Sequence, residues 1–165
     1  MSRSLSEKLL GGSRLSDLPA PGSGAPLFFF NATDLRTNTG WFFTRDPGLG
    51  PLARNYRLGR YRQDFLLSDV VAASAAFPPF FAPMELDLVE AMPREDDTAP
   101  GGWLEKVRER NPELAEAFDR RALLGDGGIY DNLGLERAEH FRHVMISNAG
   151  DPFGTDRSIR RNWWS

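Results

Sequence analysis

Residues 123–132 read "LLGDGGIYDN": an apolar run enters Gly125, then a single carboxylate, Asp126, then Gly127 and Gly128. A carboxylate there can do three kinds of chemistry. It can accept a proton from an alcohol as a general base, if it comes within about 2.6–3.2 Å of the hydroxyl. It can ligate a cation. Or it can accept backbone N–H groups and simply make a turn. Calcium binding in the manner of an EF-hand loop is excluded, because the alternating positions after Asp126 hold Gly128 and Tyr130 instead of acids. The flanking glycines remove side-chain bulk and permit positive φ, so the backbone can turn sharply and leave the carboxylate open to something that packs close. The general base and the plain turn both remain open on these residues alone.

Few other groups could do chemistry. There is no cysteine, which excludes disulfides, thiolate metal sites and a cysteine nucleophile. The two histidines, His140 and His143, have no third ligand type clustered near them, so they read as surface or strand-edge residues rather than a metal site. No G-x-S-x-G, G-x-G-x-x-G or phosphate loop occurs in the 165 residues, which leaves nucleotide binding unsupported. Ser74 in "AASAA" has small neighbours, but Pro78 and Pro79 follow too soon for the helix that a nucleophile elbow needs. It reads as a helix residue whose hydroxyl bonds back to the carbonyl of Val70. Gly11 and Gly12 read as a helix stop.

Asp126 needs elements to position it. "LFFFNATDL" has the composition of a strand buried on both faces, and "GWFFTRD" reads as a second strand. "LLSDVVAASAAFPP" predicts a buried helix with Ser68 as its cap, ended at Phe77 by the prolines. "ALLGDGG", "LGLERAEHF" and "RHVMISNAG" read in turn as strand, helix and strand, a spacing that argues for a parallel α/β sheet. Asp126 would then lie beyond the C-terminal end of a strand, where such sheets collect functional groups. Residues 94–121 are densely charged and predict two exposed helical pieces, the second capped by Asn111 with Pro112 in its first turn. They form an excursion from the core, or a lid over a site.

The length suits one domain, and the 41% hydrophobic and 26% charged composition is that of an ordinary globular chain. A net charge of −3 argues against nucleic acid as a partner. There is no apolar run long enough to span a membrane and no apolar core of a signal peptide. Nothing in these residues forces export or insertion, and a cytoplasmic or peripheral-membrane location is the expectation.

The segments "FFFNATDLRTNTGWFF", "SDVVAASAAFPPFFAPM", "LGDGGIYDNLGLE" and "ISNAGDPF", in this order, resemble the patatin-like phospholipase family in its bacterial form. The match runs over roughly residues 5–165, with an extra Asn-Thr in "RTNTG" and "YDNLG" as local departures. The resemblance implies a three-layer α/β/α fold with a mostly parallel sheet, incomplete here at its N-terminus, so that residues 1–165 would be a partial catalytic domain. It implies hydrolysis of lipid esters by a serine–aspartate dyad. Asp126-Gly127-Gly128 matches the family's D-G-[GA] motif, which makes Asp126 the catalytic base. The G-x-S-x-G serine and the glycine-rich oxyanion loop have no counterpart in these residues, so this polypeptide alone is expected to be inactive. No cofactor or metal is expected, the substrate is a lipid ester, and peripheral contact with a bilayer follows from it. A dry acyl site would raise the basicity of Asp126, and "FPPFFAPM" could wall it. The alternative is a catalytically dead domain that binds lipid or a protein partner.

Overall fold

The computed structural model describes residues 9–88, 103–138 and 142–145. Six strands form one sheet: β1 Phe29–Asp34, β2 Thr39–Asp46, β3 Gly50–Asn55, β4 Gly59–Tyr61, β5 Met84–Asp87 and β6 Arg121–Asp126. The spatial order is β4-β3-β2-β1-β6-β5, and every pair is antiparallel. Among the described residues three α-helices accompany it: α1 Leu67–Ser74, α2 Trp103–Arg110 and α3 Pro112–Arg120.

This corrects the expectation of a mostly parallel three-layer α/β/α fold: the sheet is a curled, wholly antiparallel one with few helices. The reason lies in the connections. Residues 35–38, 47–49 and 56–58 join the first four strands. A parallel pair needs a crossover of a dozen or more residues, so links this short can only fold the chain back as hairpins. Local chemistry makes the turns. Asp34 accepts the backbone N–H groups of Arg36 and Thr37, and Asn38 takes φ 51°. Asp46 accepts those of Gly48 and Leu49, and Gly50 takes φ 76°.

Among the described residues, the strand–helix–strand reading after Asp126 finds no support. A 3-10 turn, Leu135–Arg137, stands in the described part of "LGLERAEHF", where a helix is predicted, and residues 142–145, the described part of "RHVMISNAG", form no strand. Both edges of β6 are already occupied, by β1 and β5, so no following strand could pair beside it. His140 and residues 146–165 lie outside the described residues, as do residues 1–8, which hold most of the segment that Gly11 and Gly12 are expected to stop, and the first part of 94–121.

One face of the sheet carries the core. Alternation along β2 sends Trp41 and Phe43 to it, both at most 1% exposed, where they meet Tyr61, Phe65, Leu124 and helix α1. Trp41 stacks on Tyr61 with ring centroids 5.4 Å apart, and Phe43 meets Phe65 edge-on at 5.4 Å. Each large side chain buried in this way contributes roughly 1.5–3 kcal/mol. Helix α1 presents Val70 and Ala73, both fully buried; the alanine lets the helix approach the sheet closely. Its N-cap is Leu66, not Ser68, because Ser68 is drawn into the buried first turn, where its hydroxyl has no partner. Strand β1 is half-buried over Phe29–Asn31 and buried only over its last three residues, so it is not covered on both faces along its length. Asn111 caps α3 by accepting the N–H of Leu114, and α3 buries Ala115 and Phe118.

Candidate functional site

Asp126 is the last residue of β6 and sits opposite Ala32 of β1, on the face that also carries Leu124 and α1. Its backbone is held on both sides. Its N–H donates to the carbonyl of Ala76 at 3.0 Å, just beyond α1. Its carbonyl accepts the hydroxyl of Thr33 at 2.8 Å, and the same Thr33 oxygen accepts the N–H of Tyr130 at 3.2 Å. Thr33 is fully buried, so this clamp is shielded from water. The carboxylate itself is half-buried, and Oδ1 accepts the N–H of Gly128 at 2.7 Å. Among the described residues nothing engages Oδ2.

The opening motif is thereby explained, with one change. Gly125, Gly127 and Gly128 are absent from the positive-φ positions, so left-handed backbone is not what glycine supplies here. What matters is the missing Cβ. At Gly127 it would lie 2.6 Å from the backbone oxygen of Asn31, a neighbour that cannot move aside. At Gly128 it would lie 2.9 Å from Oδ1 of Asp126 and would push the carboxylate out of its bond. The motif is thus a carboxylate fixed by close backbone packing.

The expected apolar wall is near but does not enclose the carboxylate. Ala76, which accepts the Asp126 N–H, leads directly into Phe77, Phe80 and Phe81, which are 50%, 77% and 47% exposed. Phe77 and Phe80 stack at 6.3 Å. The hollow on the other side of Gly127, lined by Asn31, Gly40, Tyr130 and Glu136 among others, measures only about 10 Å³, the space of one water. Asp126 does not line it. Ser74 ends α1 half-buried, and the bond expected from its hydroxyl to Val70 is not made. His143 is exposed. Among the described residues no cluster of His, Cys, Asp or Glu could hold a metal ion, and no helix is long and apolar enough to cross a membrane.

Two groups of residues around the motif were not legible beforehand. The first is Tyr130 and Glu136, whose side chains close the loop after Asp126: the phenol donates to Glu136 Oε1 at 2.8 Å, and the Tyr130 ring lies against Gly40. That hydrogen bond, then partial burial and the charge of Glu136, hold the phenol's ionisation above its ordinary value of 10.0. The fold therefore favours the neutral phenol. The contribution is fully present below the ordinary pKa and is lost as pH rises through the raised one. A spectrophotometric titration of the protein, minus that of Tyr130→Phe, should give a midpoint above 10.0; a midpoint at or below that value would show that the bond does not form in solution.

The second is the "NATDL" acid, Asp34, which is fully buried with both oxygens engaged. Oδ1 takes the backbone N–H groups of Arg36 and Thr37, while Oδ2 takes the Arg36 guanidinium at 3.0 Å and the Trp41 indole at 3.1 Å. Arg36 then lies 4.7 Å over the ring of Phe118, tying the β1–β2 turn to α3. An acid followed closely by backbone donors in a turn was the available signal.

Comparison of the chain with protein-family models, with curated proteins and with solved structures finds no match.

Proposed function

We propose that the chain carries the base half of a serine–aspartate lipid acyl hydrolase of patatin-like type, with Asp126 as general base. The observation that supports this reading is the held carboxylate. Gly128 fixes one oxygen, leaving Oδ2 unengaged among the described residues, and exposed phenylalanines begin next to it. In the proposed reaction Oδ2 takes the proton of a serine hydroxyl as that oxygen attacks the ester carbonyl. Asp126 then returns the proton to the departing alcohol, leaving an acyl-serine. Water, deprotonated by the same carboxylate, releases the fatty acid and restores the serine. Phe77, Phe80 and Phe81 would give the acyl chain an apolar surface and the protein a peripheral contact with a bilayer. The reading rests on the motif and its surroundings, not on the sheet topology.

The serine must come from outside these residues, since no G-x-S-x-G is present. A fluorophosphonate probe, which reacts with activated serines, should leave the 165-residue chain unlabelled. A polypeptide extended in frame upstream until a G-x-S-x-G appears should be labelled at that serine and should hydrolyse p-nitrophenyl butyrate. Labelling of Ser74 would overturn the dyad as assigned. A second reading, a non-catalytic domain that binds lipid or protein, is favoured by one observation: the Asp126–Gly128 bond also satisfies the acid as a simple turn. An extended polypeptide that neither reacts nor turns over would establish that reading instead.

A further inference from the structure

We propose that the loop of residues 77–81 inserts into the interface of a lipid bilayer of no net charge and seats the Asp126 end of the sheet on it. This deepens the hydrolase reading, on which it rests for its purpose, by naming the partner surface; the docking itself needs no catalysis. The strand registers bring the loop to that end. Strand β5 starts at Met84 opposite Leu124, so the residues leading into it run alongside the end of β6, where Asp126 stands. On the other flank Ala32 of β1 pairs with Asp126, and the chain before β1, with Phe28 41% exposed, continues past the same end. Ile129, just after the motif, is exposed as well. The three loop phenylalanines thus belong to an apolar rim around the end of the sheet that bears the carboxylate.

Two observations choose the bilayer over other occupants. The first is the backbone of the loop. Ala75 donates its N–H to the carbonyl of Val71, Ala76 to Ala73 and Phe77 to Ala75, while Phe80 and Phe81 both donate to Phe77. Pro78 and Pro79 have no N–H to satisfy. Every backbone donor from residue 75 to residue 81 is therefore absent or bonded within the segment. The carbonyl of Ala76 is also engaged, by the N–H of Asp126. Water and a protein partner both offer hydrogen-bond partners of their own, so neither requires this closure. Hydrocarbon offers none and does require it. The second observation is charge. Residues 70–84 hold no Asp, Glu, Lys or Arg, so the loop draws no charge out of water as it enters. The chain as a whole carries −3, so an anionic surface repels it where a zwitterionic one does not. Phenylalanine rings held at this level supply the apolar area that interfacial binding scales with.

The chain has no cysteine, so a single probe can be placed by substitution. Phe80→Cys carrying an NBD fluorophore should shift its emission to the blue on phosphatidylcholine vesicles and be quenched by lipids with a doxyl group high on the acyl chain. The same label on Leu114→Cys, an exposed position of α3 near the other end of β6, should do neither. In cosedimentation of the 165-residue chain with these vesicles, Phe80→Asp should lower the partition coefficient by about tenfold or more, the scale of one large side chain kept in water. Phe80→Leu should keep most of the binding, and added phosphatidylserine should not strengthen it. Phe80 is 77% exposed, so both variants should melt like the parent. An unshifted probe, binding that requires phosphatidylserine, or an unchanged partition of Phe80→Asp would overturn the docking. So would sedimentation showing a dimer that Phe80→Asp dissolves, since the rim would then belong to a second copy. Asp126→Asn should bind vesicles unchanged. Hydrolysis of the soluble p-nitrophenyl butyrate needs no membrane, so the docking and the hydrolase reading fail separately.

Discussion

In a polypeptide that supplies the serine, Asp126→Asn is expected to lower ester hydrolysis by on the order of ten-thousandfold, the loss seen when a triad carboxylate is converted to its amide. Here the carboxylate itself takes the proton, and an amide oxygen has almost no basicity. Folding should survive. The asparagine Oδ1 can still accept the N–H of Gly128, while the Ala76 and Thr33 bonds involve only the backbone of residue 126. The measurement is the initial rate on p-nitrophenyl butyrate, with a melting curve on the same sample. Turnover within tenfold of the parent, in a folded variant, would remove Asp126 from the chemistry.

The second large effect concerns stability. Asp34→Ala should cost about 3–5 kcal/mol, because it strips four donors of their acceptor at once. The Arg36 guanidinium, the Trp41 indole and two backbone N–H groups all bond to that buried carboxylate. A domain of this size is stable by only about 5–15 kcal/mol, so the loss is a large fraction of the total. Asp34→Asn keeps one acceptor oxygen and should lose distinctly less. Urea denaturation of the three proteins gives the order; an Asp34→Ala midpoint equal to the parent's would mean that the turn is held by other contacts.

Several strands were legible because hydrophobic runs bounded by turn residues describe them. "GWFFTRD" became β2, and "ALLGD" became the greater part of β6 with Asp126 at its end. Asn111 as cap and Pro112 in the first turn of α3 were equally readable, because capping uses neighbouring backbone and needs no distant partner. The direction of strand pairing is not legible in the same way. Strand, helix and strand in succession suggest a crossover, whereas "RTNTG" and "DPGLG" carry hairpin chemistry. Asn38 and Gly50 take the positive φ those turns require.

The sequence by itself determined the short-range facts: a single acid among glycines, a buried alanine-rich helix (which ends at Ser74, earlier than the prolines alone required), and the absence of cysteine and of any G-x-S-x-G. Each depends on residue type or on spacing over a few positions. Only the tertiary structure decided why those glycines are needed, since Asn31, which Gly127 must pass at close range, is 96 positions away by the difference of their numbers. It alone brought Thr33 to the Asp126 carbonyl, set Arg54 across from Arg60, and sealed β6 between two antiparallel neighbours. Those relations arise from strand register and packing, in which residues distant along the chain compete for the same edges, faces and hydrogen-bond partners.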